Sequence, residues 1–106
     1  SSGNSFVHET ESQVILNGSY NINFTMDLVL KDTGLFDALA KKLNTQLEIS
    51  PKVVDIFKDG QKKYGSRAWS SMIVKRMEDA NNINFRATGF PSELTDNEPE
   101  EKGYEI

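Results

Sequence analysis

The strongest hydrophobic repeat in the chain lies between residues 25 and 43. At about 100° per residue, one side of a helix over this range collects the apolar residues Leu28, Leu35, Phe36, Leu39, Ala40 and Leu43. Lys41 and Lys42 suit the negative end of a helix dipole, and Asn44 is an acceptable stop. The pattern therefore predicts a helix from Thr25 to Leu43.

Two further helices are predicted on either side of this repeat. Residues 5–16 are weakly helical and end at an Asn-Gly turn, after which residues 19–23 are either a short strand or, more simply, an extended connector. Ser50 followed by proline is typical of a helix start, and Gly65 is typical of a helix end. Gly60 lies on the apolar side of this helix, where a glycine permits the close approach of a neighbouring helix.

The region after residue 82 is predicted to have little regular structure. A last helix is predicted to start near Ser66, to end at two asparagines and to place these apolar residues together: Trp69, Met72, Ile73, Met77 and Ala80. Residues 93–106 carry six acidic side chains and one basic side chain, a net charge of −5. We therefore divide the chain into an all-α domain, residues 1–82, and an irregular acidic tail, residues 83–106, which Phe85, Phe90 or Leu94 could anchor to the body or to a partner.

Composition argues against several classes of function. The 106 residues include no cysteine and one histidine, His8, so a thiolate metal site and a complete Ser-His-Asp triad are excluded. Outside residues 93–106 the chain has 11 basic and 10 acidic residues, a net charge of +1. A nearly neutral body with an acidic tail lacks the stripe of basic residues that binds nucleic acids or anionic membranes. We therefore expect no metal site, no nucleic-acid partner and no membrane partner.

One charged pair interrupts the apolar repeat of the long helix. Asp32 lies near the centre of the apolar stripe, and Lys31 lies at its edge. Because an unpaired buried carboxylate costs several kcal/mol, Asp32 needs a partner or a hydrated cavity if the stripe is buried. One interpretation is a structural salt bridge or helix cap; the other is that Lys31 points a cation into a cleft that receives an anion. The spacing leaves both interpretations open.

Three motifs, taken in order, resemble the C-terminal domain of the β-hydroxyacid dehydrogenases. This family includes 3-hydroxyisobutyrate dehydrogenase and tartronate semialdehyde reductase, which are relatives of 6-phosphogluconate dehydrogenase. The resemblance extends from residue 1 to about residue 80. The motifs are Ser1-Ser2-Gly3-Asn4-Ser5, the run from Phe24 to Lys31 and Asp32 that reads F-x-x-D-L-x-L-K-D, and Gly65 followed by Trp69-Ser70-Ser71.

The resemblance implies a domain of 6-phosphogluconate dehydrogenase type that covers the active site of a cytoplasmic, oligomeric enzyme. Such enzymes bind NAD or NADP with an N-terminal Rossmann domain and transfer a hydride to or from a small 3-hydroxyacid. By resemblance, Lys31 and Phe24 would bind the cofactor, and Asp32 would support them. The family's catalytic lysine lies on a connecting helix upstream of Ser1, so no catalytic residue is expected in this chain.

The glycine-rich loop that binds a dinucleotide is absent from the sequence. We therefore expect the chain to be part of a longer dehydrogenase, to bind no cofactor by itself and to be inactive alone. Its expected partners are the missing Rossmann domain and further copies of itself. The alternative hypothesis is a free-standing helical module for dimerisation or protein interaction, without catalysis.

Overall fold

A computed structural model of the chain describes residues 2–94, and these form a bundle of helices. The elements are α1 (Phe6–Asn17), α2 (Met26–Lys42), α3 (Ser50–Tyr64) and α4 (Lys75–Asn81), with a 3₁₀ helix, Ser70–Val74, directly before α4. Within this range there is no strand, only an isolated antiparallel bridge between Thr25 and Trp69. The predicted all-α class is confirmed. No helix in the described part is long and apolar enough to cross a membrane.

The first three helices confirm the sequence prediction to within a residue or so at each end. Ser5 caps α1, because its side chain accepts a hydrogen bond from the backbone N–H of His8 at 3.0 Å. Gly18 ends α1 in the left-handed conformation, at φ 94°. Ser50 is the first helical residue of α3 rather than its cap, and Pro51 follows in the first turn, where its missing N–H costs no hydrogen bond.

The prediction that the last helix starts near Ser66 is wrong. Residues 66–69 form a loop, and Trp69 precedes the 3₁₀ helix instead of lying within a helix. The backbone of this loop is hydrogen-bonded to the start of α2, and Ser70 N–H donates to the Phe24 carbonyl at 2.7 Å. Backbone groups used in this way cannot also complete a helical turn.

The α2 helix packs on α3 through a side that the hydrophobic repeat did not single out. Met26 is fully buried and Ala40 nearly so. Gly60 of α3 lies so close that an added Cβ atom would stand 2.7 Å from Ile73 Cδ1 and 3.4 Å from Met26 Cε, which confirms the predicted close approach. Small or flexible side chains at this contact let the two helices approach each other.

The apolar stripe of α2 is largely exposed to solvent. Only Ala40 of its members is buried, and the side chains of the other members remain 38–63% exposed: Leu28, Leu35, Phe36, Leu39 and Leu43. No element of residues 2–94 covers this side of α2.

Residues 83–94 form no helix or strand, but they are hydrogen-bonded to the end of α1. Ala87 N–H donates to the Leu16 carbonyl at 3.0 Å, and Asn17 Nδ2 donates to the Phe90 carbonyl at 2.9 Å. Phe85 and Phe90 themselves remain 39% and 38% exposed. The rest of the predicted acidic tail, residues 95–106, lies outside the described residues.

A buried carboxylate joins this segment to α4. Glu78 is 1% exposed and accepts hydrogen bonds from the Tyr20 hydroxyl, from Phe85 N–H at 3.0 Å and from Arg86 at 3.1 Å. Arg86 also donates to the Tyr20 hydroxyl at 2.8 Å. Burial and the hydrogen bond to Glu78 raise the pKa of Tyr20, so that its hydroxyl stays a proton donor. We call Tyr20, Glu78 and Arg86 the buried ionic cluster.

Candidate functional site

The start of α2 forms a junction of polar contacts close to the residues that the sequence analysis selected. Thr25 is the N-cap in an extended conformation, and its hydroxyl donates to Asp27 Oδ1. The same oxygen accepts a hydrogen bond from Leu28 N–H at 3.0 Å. An acidic residue in the first turn also interacts favourably with the positive end of the helix dipole. The local sequence Thr-Met-Asp thus fixes where α2 begins.

The loop of residues 66–70 is hydrogen-bonded to the first turn of α2. Met26 N–H donates to the Ala68 carbonyl at 2.9 Å, and Asp27 N–H donates to the Ser66 carbonyl at 3.0 Å. These bonds satisfy amide groups that the first turn of a helix otherwise leaves without a partner. Arg67 adds an ion pair to Asp27 at 3.3 Å. The backbone around Phe24 is therefore held on both sides.

Asp27 is the carboxylate of this junction. The hydrogen bond from Thr25, together with those from Arg67 and from Leu28 N–H, holds the pKa of its carboxyl below the ordinary value, although partial desolvation opposes the shift. Asp27 belongs to the F-x-x-D-L-x-L-K-D run, but neither Asp27 nor Arg67 was assigned a role from the sequence. Their separation of 40 residues leaves no local signal, and only the fold brings them together.

Phe24 and Lys31 lie at the same end of α2 and are accessible. Phe24 immediately precedes the N-cap and is 37% exposed. Lys31 is an exposed residue in the second turn of α2, and within residues 2–94 it forms no ion pair. Both side chains are therefore accessible near the start of α2 in residues 2–94.

Asp32 differs from what the apolar stripe led us to expect. It is exposed, and in the described part of the chain it forms no ion pair. Adjacent positions on a helix point about 100° apart, so Asp32 does not face Lys31. Because the stripe itself faces solvent, the carboxylate stays hydrated and the expected cost of burial does not arise.

A pocket of about 320 Å³ lies beside this junction, and the sequence analysis did not find it. It is lined by Asn21, Ile22, Asn23, Trp69, Glu93 and Leu94. Asn23 is in the left-handed conformation at φ 57°, which asparagine tolerates better than most residues. Phe24 and Lys31 are not among the lining residues, so the structure does not bring the sequence-selected residues into this pocket.

The remaining residues considered for chemistry have structural or surface positions. Ser71 is fully buried and donates to Glu11 Oε2 at 2.7 Å, which ties the 3₁₀ helix to α1. His8 is exposed on α1. Among residues 2–94, no three histidine, aspartate or glutamate side chains are grouped as a metal ion would require.

The comparison with protein families decides where this chain belongs. A family model described as "NAD-binding of NADP-dependent 3-hydroxyisobutyrate dehydrogenase" matches residues 1–77. The chain belongs to the β-hydroxyacid dehydrogenase family. No curated protein and no solved structure matches it.

Family membership makes the chain a domain of an NAD(P)-binding class of oxidoreductases. The matched range contains α1, α2, α3 and the loop that holds the start of α2, so the junction around Phe24 and Lys31 falls within it. Glu78 and Arg86 of the buried ionic cluster lie after the matched range.

Proposed function

We propose that this chain is the helical domain that covers the cofactor in an NAD(P)-dependent 3-hydroxyacid dehydrogenase. The observation that carries the proposal is the family match over residues 1–77. The matched range includes an accessible cation, Lys31, and an accessible aromatic ring, Phe24, at one end of α2. The nicotinamide supplies the hydride chemistry when it is bound, and this chain supplies contacts to it.

The residues present fit one wall of a dinucleotide site. Lys31 has no ion pair within residues 2–94, so a phosphate or a carboxylate can bind it without displacing a protein partner. A lysine side chain is well suited to this role, since its ammonium group is a compact charge on a flexible stem. Phe24 offers apolar surface that excludes water from the same end of α2.

The other residues of the junction position Phe24 and the first turn of α2 and do not themselves contact the cofactor. The ion pair between Arg67 and Asp27 and the backbone bonds of residues 66–70 hold Phe24 and the first turn of α2 in place. Asp32 supports Lys31 as a nearby negative charge on the next helix position, not as a direct partner. The proton transfer itself belongs to a lysine that the family resemblance places upstream of Ser1.

The proposal also includes the partners of the chain. A Rossmann domain would supply the glycine-rich loop that this sequence lacks, and the helical domain would contact further copies of itself in a cytoplasmic homo-oligomer. The substrate would be a small 3-hydroxyacid. By itself the chain would neither bind the cofactor tightly nor catalyse hydride transfer.

The test is an assay of the intact protein that carries this chain. Purified protein is mixed with NAD or NADP and a panel of 3-hydroxyacids, and formation of the reduced nicotinamide is followed. We expect turnover of at least one member of the panel, and no turnover by the 106-residue chain alone. An intact protein that reduces neither cofactor with any 3-hydroxyacid would refute the proposed reaction.

A further inference from the structure

The pocket beside the start of α2 is built from three segments that lie far apart in the sequence. Residues 21–23 form its first wall, Trp69 its second wall and residues 93–94 its third wall. The third wall lies after residues 1–77, the range that the family model matches, so family membership assigns no role to the complete pocket. Its volume of about 320 Å³ is at the lower end of the range typical of small-molecule sites.

The buried ionic cluster holds the first and third walls together. Tyr20 directly precedes the first wall, and Arg86 lies in the segment that leads to the third wall. Arg86 donates to the Tyr20 hydroxyl at 2.8 Å, and both side chains contact Glu78. Next to the two walls, Ser19 Oγ donates to the Ser92 carbonyl at 2.7 Å.

The first and second walls are also held by hydrogen bonds of their own. Trp69 forms the isolated antiparallel bridge with Thr25, the N-cap of α2. Within the first wall, Asn23 N–H donates to Asn21 Oδ1 at 3.1 Å. The pocket is therefore shaped by hydrogen bonds within the chain on all three sides.

The charge of the lining indicates the kind of ligand that the pocket takes. Among the described residues that line it, Glu93 is the one charged side chain, and there is no lysine, arginine or histidine. Within residues 2–94, Glu93 forms no ion pair. An anion in the pocket would meet an uncompensated carboxylate, whereas a cation would neutralise it. The pocket therefore favours a positively charged ligand.

The uncharged part of the lining suits an organic cation rather than a metal ion. Trp69 is half-buried, and the indole ring attracts cations more strongly than the other aromatic side chains do. Ile22 and Leu94 are half-buried and offer apolar surface to the carbon atoms of a ligand. A metal ion needs several ligating side chains, and among residues 2–94 no three acidic or histidine side chains are grouped to supply them.

We propose that this pocket binds a small organic ammonium ion, with Glu93 as its counter-charge and Trp69 as its aromatic contact. The inference goes beyond the proposed function, because neither Phe24 nor Lys31 lines the pocket and no nicotinamide is involved. Binding is therefore measured without cofactor and without hydroxyacid. Its failure leaves the hydride-transfer proposal intact, and failure of hydride transfer leaves the ammonium site intact.

The experiment is isothermal titration calorimetry of the intact protein that carries this chain. Choline and n-butylammonium are the cationic probes. Their matched controls are the neutral alcohol in which carbon replaces the choline nitrogen, and n-butyrate, an anion of similar size. The protein variants are Glu93→Gln, Trp69→Phe and the control Glu48→Gln, an exposed glutamate outside the pocket. Circular dichroism checks that the helix content of each variant is unchanged.

We expect at least one cationic probe to bind, and both control compounds to bind at least about tenfold more weakly, because only a cation pairs with Glu93. Glu93→Gln should raise the Kd of the cation at least about fivefold by removing the counter-charge. Trp69→Phe should raise it about threefold, since a phenyl ring attracts a cation less strongly than indole. Glu48→Gln should leave it within about twofold, because solvent and salt screen a distant charge.

Three results would each overturn the proposal. The first is that neither cation binds at concentrations up to about 10 mM. The second is that the neutral alcohol binds as tightly as choline. The third is that the Kd of the cation is unchanged in Glu93→Gln or in Trp69→Phe.

Discussion

Glu78 and Asp32 are two helical carboxylates with opposite surroundings. Glu78 is 1% exposed and receives hydrogen bonds from a tyrosine, an arginine and a backbone amide. Asp32 is exposed among leucine side chains that are themselves exposed. The carboxylate with apolar neighbours along its helix is the hydrated one, and the buried one lies where Tyr20 meets residues 85 and 86.

The contrast shows what controls the burial of a charge in this fold. A carboxylate can leave water only where enough donors replace its hydration, and around Glu78 those donors come from residues 20, 85 and 86. Apolar residues at helical spacing contribute none. The apolar stripe of α2 therefore leaves its carboxylate in water, and the buried ionic cluster is suited to stability.

The largest expected effect is on the free energy of unfolding when Glu78 is removed. Glu78→Ala removes the acceptor shared by Tyr20, Phe85 N–H and the partly exposed Arg86, and the lost buried hydrogen bonds should cost about 2 kcal/mol. The matched change Asp32→Ala should stay within about 0.5 kcal/mol, since an exposed residue without partners is lost. Urea unfolding followed by Trp69 fluorescence measures both values, in conditions where the chain is monomeric. Equal values for the two variants would remove the distinction between the regions.

A smaller effect is expected when only the hydroxyl of the cluster is removed. Tyr20→Phe keeps the ion pair between Glu78 and Arg86 but removes two hydrogen bonds, one donated to Glu78 and one accepted from Arg86, at a cost of about 1 kcal/mol. Tyr64→Phe is the control, because the Tyr64 hydroxyl donates to Asp79 at an exposed site, and it should cost less than half as much. The same urea titration measures the loss of unfolding free energy for both variants. A larger loss for Tyr64→Phe than for Tyr20→Phe would contradict the importance assigned to the cluster.

The smallest effect concerns Asp27, an accessible carboxylate that does have partners. Its pKa is lower in the folded chain than in the unfolded chain, so its contribution to stability is present above the ordinary carboxyl pKa, near 4, and is lost as the pH falls through the folded value. The melting temperature of Asp27→Asn should therefore be lower than that of the original chain at neutral pH, and the difference should shrink in acid. Asp32→Asn is the matched control at a site without these partners. A difference for Asp27→Asn that grows in acid would show that the sign is wrong.

The sequence was sufficient for the helices whose signals are local. The Asn-Gly turn at residues 17 and 18, the proline start of α3 and the small residue at Gly60 each act within one turn or at one contact, and the structure confirms these elements. The start of the last helix was not predictable in this way, because the loop of residues 66–69 is bonded to a segment 40 residues away.

The side on which α2 packs could not be deduced from its repeat. Periodicity shows which residues share a face, but it does not show which face a neighbouring helix covers. Here Met26 packs beside Gly60 of α3, and the leucine-rich side of α2 remains exposed. For the candidate site, the motif selected Phe24 and Lys31, while Asp27, Arg67 and the pocket beside Trp69 depend on contacts between distant segments.

The central functional claim is that Lys31 binds the cofactor, and equilibrium binding tests it most directly. NADH and NADPH are titrated into the intact protein and the nicotinamide fluorescence is recorded for the original sequence, Lys31→Ala, Lys31→Arg and the exposed control Lys58→Ala. For the cofactor that the original protein binds, Lys31→Ala should raise Kd about tenfold, equivalent to about 1.4 kcal/mol. Lys31→Arg should stay within about threefold because it keeps the charge, and Lys58→Ala should have no effect. A Kd for Lys31→Ala equal to that of the original protein would contradict the claim.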